Sequence, residues 1–143
     1  MSTDDPFVSA LRVMMLPADT NQYGTVFGGV ILSRIDQAGF IEARRHGIHR
    51  WVTASIDHVD FKAAVHVGDV VDFRTRTVRT GRSSVKVEVE VEAQRYATGD
   101  RVLVTSATLT MVAVNAAGRS IPFNSPPSVS LPNLSLPEGK SSA

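Results

Sequence analysis

Cysteine is absent from the 143 residues. Its absence excludes disulfide staples, a thiolate nucleophile and any cysteine-ligated zinc site, and it fits a reducing compartment. Charge imbalance is missing too, since 15 Lys and Arg against 14 Asp and Glu leave a formal net charge of +1. Without a basic excess, neither nucleic acid nor an anionic membrane surface is an expected partner. Nor is there a long apolar run. The longest uncharged stretch, 102–118, is interrupted by Thr and Ser and falls short of a membrane span. The N-terminus, MSTDDPF, is acidic where a secretory leader would be basic. These absences point to a cytoplasmic protein, and the length suits one domain with a real core.

What is present divides into one helix and a set of strands. Residues 28–46 carry apolar side chains at helical spacing, with Gly28, Leu32, Ile35, Asp36, Gly39 and Ala43 along one stripe. Gly47 is placed just past the helix end, where a left-handed residue is favoured. Gly39 inside the helix costs about 1 kcal/mol relative to alanine, so it implies a packing reason. Residues 8–16 read as a short edge strand. From residue 51 the period becomes 2, and 51–61, 70–80, 84–96 and 102–114 read as strands. In 84–96, Val85, Val87, Val89 and Val91 alternate with Lys86, Glu88, Glu90 and Glu92, the clearest strand signal in the chain. In 51–61, simple alternation puts Val52, Ala54, Ile56 and His58 on one face and Trp51, Thr53, Ser55, Asp57 and Val59 on the other. Turns at Val67-Gly68-Asp69, Thr80–Ser83 and Thr98-Gly99-Asp100 suggest three successive hairpins, an antiparallel meander. The expected fold is therefore α+β, a long helix wrapped by a curved antiparallel sheet. Residues 8–123 form the domain, and 124–143, rich in Pro and Ser, read as a flexible tail.

Few side chains offer chemistry. Asp36 lies within an otherwise apolar helix, where a bare carboxylate is costly unless paired or used. It is either a rim residue paired with Arg34 or across an interface, or a general base or nucleophile at a carbonyl. With no cysteine and no serine in a nucleophile elbow, this carboxylate is the best hydrolytic candidate. Gly28 and Gly29 are small residues at a tight junction, or they expose first-turn N–H groups to a carbonyl oxygen. Eight residues of helix separate Gly28 from Asp36, roughly 12 Å at the α-helical rise. If both serve one carbonyl, two helices must pack antiparallel about a twofold axis, giving two equivalent shared sites. Asn21 is a turn-former or an amide that orients water or the carbonyl. Arg82, Ser83 and Ser84 form a hairpin tip or a phosphate contact. His58 with Asp57 and Asp60 lacks a further ligand at recognisable spacing, so no metal is expected. Arg44, Arg45, His46, His49 and Arg50 suit a helix C-terminus, with an anionic-ligand role as the alternative.

The combination resembles a known family. Asp19-Thr20-Asn21, then Gly24-Thr25-Val26-Phe27-Gly28-Gly29, then Ser33-Arg34-Ile35-Asp36-Gln37-Ala38-Gly39 is similar to the hotdog-fold acyl-CoA thioesterases. The likeness is greatest to the bacterial broad-specificity acyl-CoA hydrolases related to the mammalian cytosolic enzyme. Val52–Asp57, Phe61, Val67-Gly68-Asp69 and Gly81-Arg82-Ser83-Ser84 extend it over residues 8–123. The resemblance implies hydrolysis of acyl-CoA to fatty acid and CoA by a homodimer, with three dimers assembling into a hexamer. It assigns Asp36 as the catalytic carboxylate, Asn21 as a polar partner from the other subunit, and Gly28 or Gly29 as the carbonyl donor. Arg82, Ser83 and Ser84 would touch the CoA phosphates, and no cofactor is implied beyond the CoA of the substrate. Two positions depart from many relatives. Phe27 replaces a His, and Ala63-Ala64 stand where a Pro is usual, changes that bear on acyl preference. A hotdog hydratase or dehydratase is the alternative enzyme, yet such an enzyme would need a His that residues 21–40 lack. A non-catalytic acyl-CoA-binding regulator is the other alternative.

Overall fold

In the computed structural model, which describes residues 6–129, the strongest strand pattern forms the centre of the sheet. That strand is β4 (Ser84–Gln94), whose Val85, Val87, Val89, Val91 and Ala93 are fully buried. The charged residues between them stay partly exposed on the outer face. Around it lie β1 (Val8–Met14), β2 (Arg50–Phe61), β3 (Val70–Thr80) and β5 (Arg101–Val114), with a 3₁₀ turn at Pro17–Asp19. Helix α1 (Gly28–Arg44) packs across the inner face and touches all five strands. It buries Ile31, Ile35, Ala38, Gly39, Glu42 and Ala43. A Cβ on Gly39 would lie 3.1 Å from Leu109 Cδ2 and 3.6 Å from the Met111 sulfur, so this glycine lets the helix backbone press onto β5.

The strand order is β1-β3-β4-β5-β2, antiparallel at each pairing. The expected meander therefore holds for β3, β4 and β5 but not for β2, which pairs with β5 instead of β3. Residues 62–69 are too many for a tight hairpin and form a crossover. The turn read at Val67-Gly68-Asp69 lies inside that crossover. Gly68 supplies a φ of +86° there. Asp69 accepts from the His66 N–H at 2.9 Å and from Arg95 Nη1 at 2.7 Å.

A second correction concerns the faces of β2. Its pairing steps from Thr53 opposite Met111 to Ser55 opposite Thr110, leaving Ala54 as an extra residue in a bulge. The bulge reverses the alternation. Trp51, Thr53, Ile56 and Phe61 oppose Ala113, Met111, Leu109 and Thr105, all buried beneath the helix, while Val52, Ser55 and Asp57 turn outward. A further irregularity lies between Asp57 and Asp60, where His58 takes a φ of +53°. Except for Trp51 and Val59, every β2 residue is exposed, and its outer edge has no neighbouring strand among the described residues.

The helix end differs from expectation as well. Arg45, the C-cap, has right-handed φ and ψ (−66°, −21°), and Gly47 is not among the positive-φ glycines. Gly47 is required by crowding instead, since a Cβ there would lie 2.6 Å from the Phe123 carbonyl oxygen and 2.8 Å from His49 Cδ2. Because one of those atoms is backbone, Gly47→Ala should cost about 1–3 kcal/mol, read as a lower denaturant midpoint at unchanged slope.

The expected tail begins later than residue 124. His49 is buried, with Nε2 2.7 Å from the Phe123 carbonyl and Nδ1 2.8 Å from Ser128 Oγ. A carbonyl can only accept, so Nε2 carries a proton and donates it to Phe123. The Ser128 N–H donates to the Ile48 carbonyl at 3.0 Å, completing the dock. The remainder of the expected tail, 130–143, lies outside the described residues. Among the described residues no helix is long and apolar enough to cross a membrane.

Candidate active site

Helix α1 carries two interior carboxylates, and they differ in kind. Glu42, which the sequence pattern did not single out, is the buried one. It accepts from Thr75 Oγ1 at 2.9 Å and Thr77 Oγ1 at 2.7 Å, and Arg45 Nε lies 3.3 Å away. With those partners it is a satisfied structural acid. Asp36 is exposed, contrary to its position in an apparently buried stripe. The line Gly28, Leu32, Asp36, Phe40 runs along the flank of the buried face rather than its centre.

Asp36 is nonetheless fixed. Thr53 Oγ1, turned inward by the Ala54 bulge, donates to Asp36 Oδ1 at 2.5 Å. The Met111 sulfur lies 3.5 Å from the same hydroxyl. No donor is seen on Asp36 Oδ2 among the described residues. One oxygen is thus anchored and the other is free to accept a proton. The carboxylate opens on a cleft of about 420 Å³ whose walls are mainly apolar, formed by Leu11, Phe40, Ile41, Trp51 and Met111. Such a wall removes competing water from a carbonyl near Asp36 and suits an extended ligand with apolar stretches. Thr53 was within reach of sequence reasoning as a hydroxyl among apolar residues, but unbroken alternation could not place it against the helix.

Gly28 and Gly29 begin α1. Phe27 is the N-cap and its side chain cannot cap, so the first-turn N–H groups are not taken by a side chain. A Cβ on Gly29 would meet nothing within 4 Å, and one on Gly28 would only touch the Phe61 ring at 3.5 Å. No acceptor for the Gly28 or Gly29 N–H is seen among the described residues. Gly28 lines a different cleft of about 330 Å³, with Thr25, Phe61, Lys62 and Val65 among its walls. Within one chain, Asp36 and the Gly28 donors open on separate clefts.

Asn21 serves its own loop. Its Oδ1 accepts from the Tyr23 N–H at 2.9 Å and the Thr25 N–H at 3.2 Å, and its Nδ2 donates to Thr25 Oγ1 at 2.9 Å. One amide hydrogen remains for another acceptor. It does not line the Asp36 cleft. Arg82, Ser83 and Ser84 form the β3–β4 turn, anchored through their carbonyls by the N–H groups of Phe123, Ala113 and Gly81 respectively. Their side chains point to neither cleft. The structure thus pairs Asp36 with Thr53 and leaves Gly28, Asn21 and the Arg82 turn apart from it. Among the described residues, no three His, Cys, Asp or Glu side chains gather as metal ligands.

Comparison with known proteins gives these parts a context. The thioesterase superfamily profile matches residues 23–99, which include Asp36, Gly28 and Ser84. A Haemophilus influenzae protein described as an uncharacterized acyl-CoA thioester hydrolase is 40% identical over 116 residues, covering 79% of this chain and 75% of its own. The Escherichia coli acyl-CoA thioester hydrolase YciA is 38% identical over 112 residues, covering 76% and 85%. A solved hexameric broad-specificity acyl-coenzyme A thioesterase, HI0827, superposes with a TM-score of 0.78 at 38% identity, covering 85% of this chain and 84% of that one.

Proposed function

Because the chain belongs to the thioesterase superfamily, and its fold is the hotdog, we propose that it hydrolyses acyl-CoA at sites shared between two copies. The observation carrying this is the separation on one helix of a fixed, half-free carboxylate from open N-terminal donors, roughly 12 Å apart. An antiparallel partner helix closes that distance. The exposed edge of β2 offers a place for it, since a second β2 would satisfy the open edge and continue the sheet. In that pairing the start of β2, with Trp51, meets the end of the partner's β2 and the nearby partner's Gly28. Three such dimers would make a hexamer of the kind formed by the solved relative.

The chemistry follows from the groups so assembled. The N–H groups of the partner's Gly28 and Gly29 polarise the thioester carbonyl. Asp36 Oδ2 removes a proton from water as its oxygen bonds to the carbonyl carbon. Collapse of the tetrahedral intermediate breaks the C–S bond, releasing carboxylic acid and CoA thiolate, which takes up the proton. The partner's Asn21 uses its remaining amide hydrogen to hold the water or the carbonyl. Arg82, Ser83 and Ser84 receive CoA phosphates. The step so written consumes water alone and calls on no cofactor. Acyl-CoA as substrate also fits the cytoplasmic location expected from the sequence. A hydratase or dehydratase is disfavoured because no histidine lines the Asp36 cleft.

The direct test is thiol release from palmitoyl-CoA and from a short acyl-CoA. Turnover of either is expected. Tight CoA binding without turnover would instead identify an acyl-CoA-binding regulator. Single-turnover hydrolysis in ¹⁸O-water separates the routes, because label appearing in the Asp36 carboxylate would mean that it attacks the carbonyl itself.

A further inference from the structure

The cleft beside Asp36 continues toward the C-terminal end of α1. A neighbouring cleft of about 430 Å³ shares Phe40 and Trp51 with it and is bounded by Arg44, Arg50, Asn115 and Ser128. Arg44 and Arg50 are both exposed, and neither forms an ion pair among the described residues. Arg34, Arg79, Arg82 and Arg119 likewise have no ion pair among the described residues, but none of them lines this cleft, whereas other arginines are matched with carboxylates. Arg12, Arg45, Arg76 and Arg95 are matched with Asp72, Glu42, Glu88 and Asp69. No carboxylate lines this second cleft. Its walls are built rather than loose: His49 is buried and clamps both Phe123 and Ser128. The same Phe123 donates its N–H to the Arg82 carbonyl at 3.2 Å, which ties the β3–β4 turn to the end of the molecule where Arg44 and Arg50 lie.

Resting on the thioesterase reading, we propose that Arg44 and Arg50 form a phosphate subsite for the CoA part of the substrate, reached over Phe40 and Trp51. Asp36 and Arg44 are eight residues apart, roughly 12 Å along the helix. About thirteen bonds separate the sulfur from the first phosphate of CoA, or about 15 Å extended at the reach per bond of a polypeptide chain. That arm spans the helix interval plus part of an arginine side chain. Two unpaired guanidiniums at its end offer bidentate donors to phosphate oxygens. The pair would make the enzyme favour CoA thioesters over thioesters of the bare pantetheine arm.

The experiment compares kcat/KM for an acyl-CoA with that for the matching acyl-pantetheine, in wild type and in Arg44→Gln/Arg50→Gln. The ratio of the two should fall on the order of tenfold, one net charge-assisted contact. Arg44→Lys/Arg50→Lys should restore part of the preference. An equal change for both substrates, or none, overturns the proposal. A fall confined to acyl-CoAs bearing a terminal carboxylate overturns it too, because the cations would then serve the acyl end. Calorimetry with free CoA reads the subsite without turnover. Weaker binding in the Gln variant supports the proposal even if no thioester is cleaved, and unchanged binding counts against it even if hydrolysis is fast.

Discussion

Asp36→Asn should lower kcat for acyl-CoA hydrolysis by about 10²–10⁴-fold, the usual weight of a positioned general base, with a small change in KM. The amide keeps the size of the side chain and its acceptor oxygen, so Thr53 can still donate to it. What it loses is the second, unengaged oxygen as a proton acceptor. Asp36 is exposed and belongs to the flank of α1, so the variant should fold normally. Steady-state kinetics over a range of acyl-CoA concentrations checks this. Thr53→Val, which leaves the carboxylate intact but unanchored, should cost far less than the loss of the carboxylate itself. Turnover by Asp36→Asn within a few fold of wild type would remove Asp36 from the mechanism.

Mixing two inactive variants should recover activity if each site draws on both subunits. In Asp36→Ala mixed with Asn21→Ala, a heterodimer has one doubly damaged site and one site with both groups intact. Random reassociation at equal concentrations makes about half the dimers mixed, so roughly a quarter of wild-type turnover is expected from parents that are each nearly silent. The mixture must be unfolded and refolded together, or co-expressed, so that subunits exchange. Recovery no greater than the mean of the parents would mean that each chain serves itself. The loop bonds of Asn21 complicate only the parent, since its substitution also loosens the turn around Thr25. Gly28→Pro in place of Asn21→Ala gives an independent second parent, because proline removes the N–H while suiting the first helical turn.

Where local pattern and burial agreed, the sequence could be read directly. The Val–Glu alternation of β4 is unambiguous because every second residue must leave water, and Gly39 announced a close approach that Leu109 and Met111 supply. Reading failed where a distant partner decides the outcome. β2 pairs with β5 because the crossover carries it to the far edge, and no residue within β2 records that. Its inner and outer faces are set by one unpaired residue in the ladder, which a two-residue period cannot reveal. Gly47 is dictated by Phe123, far along the chain, and not by the helix it follows. In the candidate site, Asp36 stood out because a charge in an apolar stripe is conspicuous, although it lies exposed on the flank of that stripe. Thr53 did not, and Glu42 escaped notice because its threonine partners come from β3.

The bulge at Ala54 also constrains how this gene can change. Ala54 has no residue opposite it on β5, so deleting it would leave Thr53 opposite Met111 and Ser55 opposite Thr110 in an unbroken ladder. Trp51 and Thr53 would stay beneath the helix, and the hydroxyl would still face the carboxylate. Loss of a paired residue such as Val52 would instead move Trp51 or Thr53 to the opposite face. One-codon deletions should therefore be tolerated at Ala54 and purged from the paired positions before it, although the side chain of Ala54 takes no part in the proposed reaction.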